Sequence, residues 1–235
     1  TRSPTTAGSS FVPLVSTSEP SGANSPAREI EVAIERLDTW IDGFVSRHGF
    51  AHDGDTPSEG AKPRELVGAD GTHARLHYFD HDPIGVVLVR RGGYAVARVK
   101  GGRLVLHKVG TRYVQSRTAA GGWSQQRFAR RRDNQADELV TAVADHAARI
   151  LIDLASPAEE TTEIPVGGAP VGPGLIVGGD RQLVAQVLAD RRLAALRELP
   201  RRTLYDLADP NRAVLETAIK RGTSVRILLS QTVAH

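Results

Sequence analysis

The segment from Gly110 to Gln135 brings together residue types suited to work on a polyanion. It reads as a strand, a small-residue loop, the glycine pair Gly121-Gly122, then Trp123, Ser124, Gln125, Gln126 and an arginine-rich helix start. Two adjacent glycines permit positive φ and let the backbone come close to a bulky ligand. Ser124 is a good N-cap. It would place Gln125 and Gln126 in the first helical turn, where free N–H groups and the positive dipole end favour anions. Arg127, Arg130 and Arg131 recur at helical spacing and could follow a phosphate backbone, with Arg132 beside them. Trp123 could stack on a base or wedge into an RNA surface; the alternative is that it folds back as a hydrophobic staple for the helix.

Charge supports this reading. Residues 100 to 135 hold nine Lys or Arg (Lys100, Arg103, Lys108, Arg112, Arg117, Arg127, Arg130, Arg131, Arg132) and one acid, Asp133. The net charge of the whole chain is +3, yet outside this tract 21 basic residues stand against 26 acidic ones. A concentrated basic patch on an acidic body is the footprint of a polyanion-binding surface. A solvated charged face is the usual meaning of one charge run. Here the run lies on both sides of a Gly-rich turn, which favours nucleic-acid contact.

Other constellations are weaker. His73, His77, Asp80, His81 and Asp82 cluster near a strand end, with Asp53 and Asp55 as further candidates, but a polar turn explains them better than a metal site. The glycines from Gly167-Gly168 through Gly178-Gly179 lack the Lys-Ser/Thr of a phosphate loop and a proper GxGxxG. Ser124 as a nucleophile would need a His and an acid, and no local spacing supplies them. His107 reads as a surface or packing residue. The chain has no cysteine, so disulfides, a thiol nucleophile and cysteine-ligated metals are excluded. No cofactor or metal is expected. No apolar run reaches the roughly 18 residues of a membrane span, and a cytoplasmic location is expected.

Positioning this segment calls for a scaffold. Residues 1 to 26 are rich in Ser, Thr, Pro and Gly and read as a disordered tail. Ser25-Pro26 then starts an expected helix carrying Ile30, Ile34, Leu37, Ile41, Phe44 and Val45, ending near Gly49. A loop is expected over 51–72. Short β-rich runs follow at about 73–79, 84–91, 94–100, 103–109 and 111–117, punctuated by Gly92-Gly93 and Gly101-Gly102 in the manner of hairpins. After Gly121-Gly122 the period becomes 3.6. Phe128, Ala136, Leu139, Val140, Val143, Ala147, Ile150, Leu151 and Leu154 make one stripe. The stripe lapses between 129 and 135, so the C-terminal half should anchor in the core while the basic first turns project. Past a Pro/Gly-rich connection at 156–173, a strand is expected at Leu175–Val177, a helix from about Asp180, a short strand near Thr203–Tyr205, a helix over 210–221, and a last strand Ser224–Leu229. About 60 residues would form a poor core alone, so this portion should complete the same sheet. The fold class expected is α/β, a single domain over 27–235 with a mixed, largely antiparallel sheet flanked by helices.

The sequence Gly121-Gly122-Trp123-Ser124-Gln125 resembles the catalytic loop of the Vms-like release-factor family, particularly its actinobacterial branch. That family is related to the eukaryotic and archaeal peptide release factors whose loop reads Gly-Gly-Gln; its eukaryotic members carry Gly-Gly-Ser-Gln, and here Trp123 is inserted before Ser-Gln. Arg112-Tyr113, Arg117, the Arg-rich helix and Asn134 fit the family pattern too. The resemblance implies the fold of the release-factor catalytic domain. It also implies a peptidyl-tRNA hydrolase, cutting the ester between a nascent peptide and tRNA on a stalled large ribosomal subunit. The implied partners are that subunit, its ribosomal RNA and peptidyl-tRNA, with no membrane and the chain acting as a monomer. Because a neutral amide cannot serve as a base at pH 7, the glutamine would orient a water by proximity. The Ser-Gln pattern assigns this to Gln125, with Gln126 as the alternative. Gly121 and Gly122 would let the loop approach, and Arg112, Arg117, Trp123, Arg127, Arg130, Arg131 and Arg132 would bind RNA. Eukaryotic members add zinc-finger, ankyrin and coiled-coil parts, and the expectation is that this chain is the isolated catalytic domain.

A second reading keeps the basic loop and helix as a non-catalytic ribosome- or RNA-binding factor. A nuclease is disfavoured, since no carboxylate cluster of metal-binding type accompanies the basic tract.

Overall fold

The computed structural model describes residues 28–49, 52–53, 64–111, 124–154 and 172–231. Its strands are β1 Arg28–Val32, β2 His52–Asp53, β3 Glu65–Val67, β4 Thr72–His77, β5 Ile84–Arg90, β6 Gly93–Lys100, β7 Arg103–Gly110, β8 Gly174–Gly179, β9 Arg201–Leu204 and β10 Val225–Gln231. Its helices are α1 Leu37–His48, α2 Ser124–Ile150, α3 Arg181–Leu188 and α4 Arg212–Gly222, with 3-10 turns at Ile34–Arg36 and Arg191–Arg197.

The strands form two five-stranded sheets, ordered β7-β6-β5-β8-β9 and β1-β10-β4-β3-β2. The first is mixed. β5 pairs antiparallel with β6 and parallel with β8, and β8 pairs parallel with β9. β5 and β8 are central strands whose near-continuous apolar sequences suit burial on both faces. On one face, Val87, Val89, Val96 and Val177 pack against Leu139, Val143 and Ala147 of α2, against Leu151 just after it, and against α3. On the other, Val86, Leu88, Ala97 and Ile176 pack against Leu215 and Ala218 of α4. The second sheet is antiparallel throughout, and α1 covers it through Leu37 and Phe44, which meet Leu66, Leu76 and Ile227.

The chain is thus α/β with mixed sheet and flanking helices, as expected. Strands β4 to β7 and helices α2 to α4 fall close to their sequence-derived spans. Asp180 caps α3 by accepting from the backbone N–H of Gln182 and Leu183, and Asn211 caps α4 by accepting from Val214.

Three expectations are corrected. Residues 28–32 are a strand, not a helix start; Arg28-Glu-Ile-Glu-Val alternates polar and apolar, and pairing with β10 turns Ile30 and Val32 onto the α1 core. The loop expected over 51–72 contains β2 and β3, which pair with each other and with β4. The last strand, β10, does not complete the mixed sheet. It inserts between β1 and β4, because Val225 and Ile227 alternate toward α1 while the mixed sheet already ends at β9. The strand expected at 111–117 and the tail at 1–26 lie outside the described residues, apart from Thr111.

An ionic seam joins the two sheets. Arg221 of α4 reaches Glu31 of β1 (Nε to Oε2, 2.8 Å) and Asp206 after β9 (Nη1 to Oδ2, 2.9 Å). Arg226 of β10 donates to the Thr203 carbonyl of β9 at 3.2 Å and lies 3.4 Å from Glu31. Arg221 also holds the Asp206 carboxyl below its ordinary pKa by hydrogen bonding to it.

Candidate catalytic loop and nucleic-acid interface

The basic tract begins on β7, the outer strand of the mixed sheet. Arg103 and Lys108 are exposed there, and so are Val105 and Leu106 at 55% and 49%. His107 is exposed as well. Its Nε2 accepts a hydrogen bond from Arg212 Nη1 at 2.7 Å, which ties the strand to the start of α4.

Gly110, at the end of β7, pairs with Tyr94 at the start of β6. The Tyr94 ring lies against Gly110 so closely that a Cβ there would come 2.5 Å from its Cζ. The same ring stacks on His146 of α2, with centroids 5.4 Å apart and planes at 18°. Just past the end of α2, Leu151 and Leu154 approach Gly85 at the opposite end of β5. The helix therefore crosses the sheet against the direction of β5, and its N-terminal half extends past the end at which β7 stops.

That half carries the candidate residues. Ala136 of α2 packs against the core, twelve residues after Ser124, or about 18 Å along the axis at about 1.5 Å per residue. The helical backbone begins at Ser124, which makes Ser124 the first helical residue rather than the residue that precedes the helix, and Gln125 and Gln126 stand in the first turn. Arg127, Arg130, Arg131 and Arg132 follow within the helix. The C-terminal half anchors the helix, with Leu139, Val143 and Ala147 buried, as are Leu151 and Leu154 just beyond its end. Gly121, Gly122, Trp123, Arg112 and Arg117 lie outside the described residues, as do the side chains of residues 124–133.

A polar clamp holds the anchored half. Arg192 Nη1 reaches Asp145 of α2 at 2.8 Å and also bonds Asp190 (Nη2 to Oδ2, 2.7 Å). The Arg192 guanidinium, together with the Arg192 backbone N–H, brings the Asp190 carboxyl down to about 2. Arg149 in turn donates to His146 Nδ1 at 2.8 Å. Tyr94 and His146 carried no signal in the sequence. Their role depends on a strand-to-helix contact spanning some fifty residues.

The structure disperses the other constellations. Among the described residues, no three His, Cys, Asp or Glu stand close enough to hold a metal ion. His73 lies 3.6 Å from Glu65, His81 faces Phe79 edge-on, and Asp82 accepts from the Gly101 N–H. Asp55 and Gly167-Gly168 lie outside the described residues. Gly178 is in β8 and packs so tightly on Leu204 that a Cβ would collide with its carbonyl oxygen, so strand packing accounts for it.

No curated protein matches the chain by sequence. A family model does: the Actinobacteria/chloroflexi VLRF1 release factor model matches residues 82–228, from the start of β5 into β10, and includes the whole of the 110–135 segment. With that match covering more than half of its residues, the chain belongs to the Actinobacteria/chloroflexi VLRF1 release factor family.

Proposed function

We propose that the chain is a peptidyl-tRNA hydrolase of ribosome rescue, acting in the cytoplasm on stalled large ribosomal subunits. Membership of a release-factor family carries a ribosome-associated, release-factor-like role. The finer reading is supported by one observation: α2 opens at Ser124, so the two glutamines of the family-like loop stand in the first turn of a helix whose next positions carry Arg127, Arg130, Arg131 and Arg132. A basic helix start with free N–H groups suits a substrate surrounded by RNA.

The chemistry asked of the tip is modest. The aminoacyl ester is already activated. Water attacks its carbonyl carbon, the bond to the ribose oxygen of the terminal adenosine breaks, and that oxygen takes the proton. Gln125 would hold the water in line with the carbonyl through its neutral amide, a contribution of proximity rather than of acid–base catalysis. Free N–H groups in the first turn favour the negative charge that develops on the carbonyl oxygen. Gly121 and Gly122 would admit the backbone to the centre, and Arg112, Arg117, Arg127, Arg130, Arg131, Arg132 and Trp123 would grip ribosomal or transfer RNA.

Gln125→Ala and Gln126→Ala, made singly and assayed for peptide release from large-subunit–peptidyl-tRNA complexes, test this reading. Gln125→Ala should slow release about a hundredfold with subunit binding retained, and Gln126→Ala should do less. If neither slows release, the hydrolase reading falls and a non-catalytic ribosome-binding factor takes its place.

A further inference from the structure

The seam between the sheets opens, between α1 and the end of α4, into a cleft of about 550 Å³, within the roughly 300–1,000 Å³ of small-ligand sites. Arg36, Trp40 and Arg47 form one wall, and Lys220 and Arg221 the other. Arg221 and Glu31, also in the lining, neutralise each other across the seam at 2.8 Å. Arg36, Arg47 and Lys220 are exposed and, among the described residues, have no side-chain hydrogen bond or ion pair. Three cations without a side-chain partner among the described residues thus face one opening. Trp40 is half-buried and stacks on the buried Phe44 with centroids 5.6 Å apart, so its ring is held on one side and contributes its remaining surface to the cleft. Gly43 leaves room between these groups. A Cβ built on it would meet nothing nearer than Arg47 Nη2 at 3.9 Å.

We propose that this cleft binds a nucleotide of single-stranded RNA, with the base against Trp40 and the phosphates on Arg36, Arg47 and Lys220. An aromatic surface beside unpaired cations is the arrangement that takes single strands without sequence preference. A protein partner would have to bring several carboxylates to the same point and would leave the tryptophan unexplained. The site is set apart from β7, where the basic tract begins. Arg212 at the start of α4 touches His107 of β7, whereas Lys220 stands eight residues later, about 12 Å along the helix. Choosing RNA over a free nucleotide rests on the ribosomal role proposed above; the cation and tryptophan geometry does not.

Trp40 and Trp123 are the two tryptophans of the chain, so Trp123→Phe leaves Trp40 as the sole reporter. Titrating that variant with an eight-residue oligoadenylate should quench Trp40 fluorescence saturably. Adding Arg36→Ala and Lys220→Ala together should weaken the apparent Kd about tenfold or more. Gly43→Gln, which projects into the cleft from an uncrowded helix position, should block quenching while the melting temperature stays at or above that of the parent. Absence of saturable quenching, quenching unchanged by Gly43→Gln in the folded protein, or inorganic phosphate matching the oligonucleotide would each overturn the proposal. So would loss of large-subunit binding in the double variant without any oligonucleotide effect on Trp40, which would identify an acidic protein surface as the ligand. The titration contains neither ribosome nor peptidyl-tRNA, so its outcome stands apart from that of the release assay.

Discussion

Tyr94 stacks on His146 with ring centroids 5.4 Å apart while lying against the backbone of Gly110. One buried ring therefore joins the strand that enters the candidate loop to the helix that leaves it. The loop's two ends keep their relation only if β6, β7 and α2 stay in register around this ring.

Gly110→Ala drives a methyl group into that ring and should destabilise the fold by about 1–3 kcal/mol. A double-mutant cycle of Tyr94→Leu with His146→Ala should return a coupling of about 0.5–1.5 kcal/mol. Urea denaturation measures both, and a Gly110→Ala variant as stable as the parent would contradict the close packing.

The seam predicts a second loss. Arg221→Ala leaves Glu31 and Asp206 without their shared cation and should cost about 1–2 kcal/mol. That is below the 3–5 kcal/mol of a fully buried pair, because the Arg221 side chain is 32% exposed and solvent screens it. Chemical denaturation of the variant checks the figure, and Arg221→Lys should recover only part because lysine cannot fork between two carboxylates.

Arg202 of β9 behaves in the opposite sense. It is 6% exposed, its guanidinium lies 5.3 Å from the Phe79 ring, and Nη1 has no hydrogen-bond partner among the described residues. Burial, reinforced by the charge of Arg226, pulls it down to about 10. Replacing a buried, incompletely partnered cation with an apolar chain of similar length is expected to be neutral or stabilising by about 1–2 kcal/mol. Thermal melting of Arg202→Met tests this, and a large drop would mean that the charge is needed.

Asp190 supplies a pH dependence. Its carboxyl titrates at about 2 in the folded chain, below the ordinary 3.8, because Arg192 hydrogen bonds to it. A depressed folded value stabilises above the unfolded value, so this contribution is fully present above about pH 4 and disappears as pH falls through about 2. The stability gap between the parent and Asp190→Asn should therefore close between pH 5 and pH 2. A gap that stayed constant over that interval would exclude the linkage.

The arginines of the first turns of α2 should act on RNA by neutralising phosphates. Replacing Arg130 and Arg131 by Ala should weaken large-subunit binding. It should also reduce the slope of log K against log salt by about 0.7–0.9 for each phosphate that the variant no longer neutralises. Binding assays at several salt concentrations measure it. An unchanged slope would place these arginines away from phosphate.

Much of this was legible in the residues, and the parts that were share one property: they are set by near neighbours. The 3.6-residue stripe of α2, the helix start near Asp180, the apolar runs of β5 and β8, the basic tract and the Gly-Gly-Trp-Ser-Gln string are all written within a few positions of one another. What only the tertiary structure decided lies between residues far apart. Arg28–Val32 could continue a helical stripe or alternate as a strand, and pairing with a strand nearly two hundred residues away chose the strand. Glu31 and Arg221 are separated by 190 positions, yet they set the seam and the edge of the cleft. Tyr94, His146 and Gly110 meet only once sheet and helix are packed. Periodicity and capping energies are local and can be read along the chain, whereas the choice of sheet and the meeting of distant charges depend on which faces remain to be buried after the local elements have formed.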